Sequence, residues 1–158
     1  MEEQGAPEAV VVEFDGGCQP PAGRKFASWA YVIHGRGFEH EDSGLAAEPG
    51  SPLATNNVAE YQAAIHGLEY LLSQGYRGPV VLQGDSELVL KHLQGTYRVR
   101  APHLRPLYER LVELARQFSN LTPHWVPREL NQRADHLTEL AIARARSPVG
   151  RPRDWSAH

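Results

Sequence analysis

Near residue 60 the apolar residues of this chain change their spacing, and that change narrows the folds open to it. Before it come three runs rich in β-branched and aromatic residues: Val10–Phe14 (VVVEF), Phe26–His34 (FASWAYVIH) and Phe38–Ala46. The first ends at Asp15-Gly16-Gly17 and the second at Gly35-Arg36-Gly37, both turn signals, so the segment predicts an antiparallel meander. A loop rich in Gly, Ser and Pro follows (Glu48 to Ala54). Beyond it Tyr61, Ala64, Ile65, Leu68, Leu71 and Leu72 recur at helical spacing until Gly75 ends the helix.

The remainder alternates. Val80-Val81-Leu82 reads as a buried strand. Leu88 to Leu93 is a short helix closed by Gly95. Pro102 precedes a helix with Leu104, Leu107, Leu111, Leu114 and Phe118 inward. Leu121 to Val126 is a fifth strand, and Leu130 to Arg146 is a last helix. Strands that alternate with helices pair in parallel. The order βββ-α-β-α-α-β-α therefore predicts an α/β fold: one mixed five-stranded sheet, antiparallel first and parallel later, flanked by helices. Residues 9–146 make one domain, with residues 1–8 and 147–158 as tails; Trp155 gives the second tail a residue that could dock.

A chain of 158 residues buries a core without disulfides, and the lone Cys18 has no partner for one. The acidic start, Met1 to Ala9, lacks the features of a secretory signal, and no apolar run is long enough to cross a bilayer. The expectation is a reduced, cytoplasmic protein, acting as a monomer with no membrane partner. Net charge is −3, but from Lys91 to Arg116 six basic residues face only Glu109 and Glu113, so one region is basic in an otherwise acidic chain. The histidines show no paired zinc-ligand spacing, and no Ser-His-Asp set or Gly-rich phosphate loop stands out.

Four acids sit where elements meet. Asp15 ends the first strand, Glu60 lies in the first turn of the long helix, Asp85 follows the Val80–Leu82 strand, and Asp135 lies near the start of the last helix. Each has a local explanation. Asp15 could shape a turn. Asn57-Val58-Ala59-Glu60 matches a capping box. Asp85 or Ser86 could cap a helix. Asp135 could simply suit the helix dipole. Taken together they carry more weight, because parallel α/β sheets gather their chemistry at strand carboxyl ends. If the first and fourth strands are adjacent and parallel, Asp15 and Asp85 meet. Crowded carboxylates need cations, and hard oxygen ligands select Mg²⁺ or Mn²⁺.

Asp15-Gly16-Gly17-Cys18, Thr55-Asn56-Asn57-Val58-Ala59-Glu60, Gly84-Asp85-Ser86 and Asn131-Gln132-Arg133-Ala134-Asp135 resemble the four signature blocks of type 1 ribonuclease H, in the family's order, over about Val10 to Arg146. The TNNxxE block is the most specific of them. The resemblance implies a ribonuclease H-like fold and a metal-dependent endonuclease that cuts the RNA strand of RNA–DNA hybrids, using two Mg²⁺ or Mn²⁺ ions and leaving 5′-phosphate and 3′-hydroxyl ends. Double-stranded RNA is a further substrate to consider.

By the same resemblance Asp15 bridges both ions, Asp135 completes the ion that activates water, and Glu60 and Asp85 hold the other. Glu60 and backbone groups near Gly16, Gly17 and Cys18 would sense the 2′-hydroxyl, while Thr55, Asn56, Asn57, Ser86 and Asn131 belong to the substrate-contacting set. The sequence departs from the family in three places. Arg128 stands in the loop where many members carry a histidine, so a phosphate contact replaces a proton shuttle. Gly95 to Pro102 is a short link without the tryptophan-bearing basic handle of some members, leaving the grip to Lys91, Arg98, Arg100 and Arg105. Glu87 replaces a common glutamine. The alternatives are a catalytically weak hybrid- or double-stranded-RNA-binding module of the same fold, another nuclease or transposase of the superfamily, and an unrelated α/β domain whose acids are caps.

Overall fold

In the computed structural model, residues 8–20 and 23–147 are described. Most of both expected tails, with Trp155, lies outside them. Five strands form one sheet: β1 (Val10–Gln19), β2 (Phe26–Gly35), β3 (Phe38–Leu45), β4 (Pro79–Gly84) and β5 (Asn120–Trp125), in the order β3-β2-β1-β4-β5. β1, β2 and β3 pair antiparallel; β4 and β5 join in parallel, as the connections predicted. The helices are α1 (Asn56–Ser73), α2 (Glu87–Gln94), α3 (Arg105–Ala115) and α4 (Gln132–Arg146). Among the described residues no helix is long and apolar enough to cross a membrane.

The largest departure from the sequence reading is β1. It does not stop at Asp15 but runs on through Gly16 and Gly17 to Gln19, paired with β2 from Asp15↔Ala30 to Gln19↔Phe26. The glycines give clearance here, not a turn. A Cβ on Gly16 would overlap the α1 backbone, 2.6 Å from the Ala59 carbonyl carbon, and one on Gly17 would lie 2.9 Å from Thr138 Oγ1 of α4. Neighbouring strand residues face opposite sides of a sheet. Gly16 therefore admits α1 on one face and Gly17 admits α4 on the other.

The core lies on the α1 side. Val10, Val12 and Phe14 of β1, Ile33 of β2 and Leu82 of β4 pack there with Tyr61, Leu68 and Leu71 of α1 and Leu111 and Leu114 of α3. Three helix ends differ from expectation. Thr55, not Asn57, caps α1, its Oγ1 accepting from Val58 N at 3.2 Å. Glu60 is therefore one turn inside the helix and is not a capping-box acid. α3 ends at Ala115, before Phe118, and Leu130 sits in a 3₁₀ turn ahead of α4 with its side chain exposed. Gly75 (φ 80°) and Gly95 (φ 81°) close α1 and α2 in the left-handed conformation, as their positions suggested.

Candidate active site

β1 pairs with β4 only as far as Phe14↔Gly84, where β4 ends, while its antiparallel partner β2 continues. Backbone polar groups of alternate strand residues point to alternate sides, so Phe14 and Gly16 both address the place where β4 has run out. Two side chains fill that vacancy. Asn131 Nδ2, just before α4, donates to the Phe14 carbonyl at 2.8 Å, and Glu60 Oε1 accepts from Gly16 N at 3.0 Å. Buried backbone groups need partners. The end of β4 thus fixes where Glu60 and the start of α4 sit.

Asp15, Glu60 and Asp85 converge at this point, each offering an oxygen, with the three atoms within 4.8 Å of one another. Asp135 lines the same open cleft of about 370 Å³, beside Asn56 and Arg128. Ser86 Oγ caps α2 by accepting from Val89 N, so the cap role falls to Ser86 and Asp85 keeps its carboxylate for the cluster. Thr138 Oγ1 donates to Asp135 O at 2.6 Å, and Ser28 Oγ donates to Thr138 O at 2.8 Å, pinning the first turns of α4 to β2.

The crowding shows in the protonation equilibria. Burial, then the Asp85 and Asp135 carboxylates, pushes Asp15 up to about 9. Burial and the charges of Asp15 and Asp85 hold Glu60 well above the ordinary range, against the opposing Gly16 N–H. Burial raises Asp85 too, offset by a hydrogen bond with Asp15 and by the Arg128 charge. Arg128 lies 3.5 Å from Asp135 Oδ1, and the Asp135 carboxylate raises the pKa of the Arg128 guanidinium. An all-oxygen, anionic set that retains protons when alone fits a hard divalent cation, which would take their place.

The substrate residues expected from sequence divide among several places. Gly16, Gly17, Cys18 and Asn56 line the cleft. Thr55 supplies the α1 cap at its edge. Asn57 faces a second depression of about 450 Å³ between α2 and the 95–104 link, together with Arg98, Arg100, Tyr97 and His92. Lys91 lies over the Tyr97 ring, 5.4 Å from its centroid. Asn131 is a correction. It is fully buried and holds Phe14 O, so it braces the site and is not open to a ligand. His124 bonds Gln83 at an exposed position and His136 is exposed, and neither lines the cleft.

Cleft residues that sequence reasoning missed are Gln19, Thr138, Glu139 and Ile142. The last three lie three, four and seven positions after Asp135, the spacing of one helix face, and that signal was available. Gln19 was hidden by ending β1 too early.

Comparison with known proteins agrees with this geometry. A reverse transcriptase-like family model matches residues 38–141. The chain is 37% identical over 135 residues to the ribonuclease HI of Halobacterium salinarum, covering 84% of this chain and 64% of that protein. It is 35% identical over 136 residues to the bifunctional protein Rv2228c of Mycobacterium tuberculosis, covering 84% of this chain and 35% of that one. The chain thus spans about a third of the mycobacterial relative's length. The solved N-terminal RNase H domain of Rv2228c superposes with a TM-score of 0.75 at 33% identity, over 85% of this chain and 99% of that one. LC11-RNase H1, solved in complex with an RNA/DNA hybrid, gives 0.76 at 33% identity, over 87% and 99%. A chain that matches the family model over most of its length, and superposes on nearly the whole of an RNase H domain with a third of its residues identical, belongs to the type 1 ribonuclease H family.

Proposed function

We propose that this chain is an endoribonuclease that hydrolyses the RNA strand of RNA–DNA hybrids with two divalent cations, Mg²⁺ or Mn²⁺, leaving 5′-phosphate and 3′-hydroxyl ends. The observation that carries the reading is the convergence of Asp15, Glu60 and Asp85 within 4.8 Å, in a cleft that Asp135 completes. A pair of such ions about 4 Å apart makes a water more acidic and stabilises the leaving oxygen of a phosphodiester.

The chain's own residues do the positioning. Asp15, hydrogen-bonded with both Asp85 and Asp135, would help to hold both ions. Asp135 would hold with it the ion that makes water more acidic, and Glu60 and Asp85 the ion that stabilises the leaving oxygen. Glu60 is held by Gly16 N, so its free oxygen and the Gly16-Gly17-Cys18 backbone are in place to meet a 2′-hydroxyl, the group that separates RNA from DNA. Arg128, largely exposed beside Asp135, can turn to a phosphate but cannot shuttle a proton at neutral pH. Asn56 in the cleft and Asn57 in the next depression link the cluster to Arg98 and Arg100, which would take the partner strand's phosphates.

The test is cleavage of an end-labelled hybrid with Mg²⁺, Mn²⁺ or chelator, beside DNA-duplex and RNA-duplex controls. Metal-dependent cutting of the hybrid's RNA strand is the expected result; equal rates with and without chelator would falsify the mechanism. Cutting of the RNA duplex would add double-stranded RNA to the substrates.

A further inference from the structure

The catalytic cleft does not end at the carboxylates. Gln19, Glu139 and Ile142, which line it, also line a neighbouring depression of about 410 Å³ whose far wall is Ala143 and Arg146 of α4. At that end two guanidinium groups gather on one buried ring: Arg24 lies 5.3 Å and Arg146 6.0 Å from the Phe26 centroid. Cations are drawn to an aromatic face, and here one ring draws two. Gly50 packs against the Arg24 stem, where a Cβ would lie 3.0 Å from its Cγ. Lys25 is near enough for its charge to act on the Cys18 thiol. Arg146 also suits the C-terminal end of the α4 dipole, but that does not explain why Arg24, from a different segment, shares its ring. Among the described residues, neither arginine makes an ion pair with a carboxylate within 4 Å. Among the described residues the one acid in the depression is Glu139, which also lines the cleft.

We propose that Arg24 and Arg146 form a binding site for a backbone phosphate of the strand that passes through the carboxylate cleft, at the end of the cleft opposite Arg98 and Arg100. The inference rests on the hybrid-nuclease reading and adds a contact to it. An anionic centre repels a polyanion, so a strand crossing it needs cations on both sides. Asn56 and Asn57 lead from the cleft to the Arg98–Arg100 groove on one side; Gln19 and Ile142 lead on the other to Arg146, which shares the Phe26 ring with Arg24. The floor at Ile142 and Ala143 is apolar, which suits a sugar face beside the phosphate.

The test compares wild type with Arg24→Gln/Arg146→Gln, measuring anisotropy of a labelled hybrid in chelator over a range of salt, together with cleavage in Mg²⁺. The double variant should bind about 3- to 10-fold more weakly, with a salt slope shallower by roughly one to two contacts. Its rate at saturating hybrid should match wild type, and so should its melting midpoint to within a few degrees. The loss should disappear with hybrids shortened on one side of the cut and persist with those shortened on the other. Arg146→Glu should weaken binding further. Unchanged affinity and slope in the double variant, beside a wild type that cuts hybrid, would overturn this site alone. If wild type neither binds nor cuts hybrid, the nuclease reading fails and this inference goes with it.

Discussion

The two halves of the carboxylate cluster are built differently. Asp15 and Glu60 are each only 4% exposed and are wedged against the β1 backbone, which donates to Glu60 through Gly16. Asp85 and Asp135 sit at the rim, with a quarter of the Asp135 side chain exposed and Arg128 beside it. The inner pair is positioned by the main chain and cannot relax away from its own repulsion. The rim pair has the exposed Arg128 cation at hand and solvent to screen it. The inner half should therefore govern coupling between metal, proton and stability, and the rim should govern turnover and substrate.

The comparison breaks first on activity. Asp85→Asn should lower hybrid cleavage by roughly 100-fold or more while the melting midpoint holds or rises, because it removes a repelling charge at a rim site. Near-wild-type cleavage by this variant would remove the rim from the chemistry. Gly16→Ala comes next. Its Cβ has no room against α1, so unfolding in denaturant should show a loss of about 1–3 kcal/mol. An unchanged midpoint would mean that α1 does not need its close approach to β1.

In chelator, the inner pair should also couple stability to pH. Asp15 titrates at about 9 in the folded chain against an ordinary 3.8, so between these values the folded state holds a proton that the unfolded state has released. That contribution is fully present below about pH 4 and is lost as pH rises towards 9. Asp15→Asn should therefore gain stability over wild type progressively across that window, read as the difference in melting midpoint. A difference that does not change with pH would show that the inner carboxylate is not strained. Added Mg²⁺ or Mn²⁺ should raise the wild-type midpoint, more so at higher pH, and should do less for Asp15→Asn. The smallest effect belongs to the groove outside the cluster. Arg98→Ala/Arg100→Ala should weaken hybrid binding modestly and reduce its salt slope by about 0.9 per lost phosphate contact; an unaltered slope would leave those arginines as plain surface.

Much of this was legible in the residues. The change of apolar period near residue 60 specified which strands pair antiparallel and which in parallel, because spacing and connection length are local properties. Gly75 and Gly95 marked helix ends because a left-handed cap is also local. Asp15, Glu60, Asp85 and Asp135 stood out as a set because each reads in the sequence as lying near an element boundary, although β1 in fact runs on past Asp15 to Gln19. Thr138, Glu139 and Ile142 share the Asp135 helix face at three, four and seven positions, a spacing equally legible in the residues.

What the sequence could not decide depended on partners distant along the chain. Asp15-Gly16-Gly17 has turn chemistry, and only the approach of α1 and α4 to opposite faces of β1 shows that its glycines give room. Glu60 has capping spacing, and Asn131 lies in a substrate-contacting motif. Both are instead held by backbone groups left open where β4 stops short of β1. The end of a neighbouring strand is set by the packing of the whole sheet, so local pattern could name these residues but only the tertiary structure could say what each one holds.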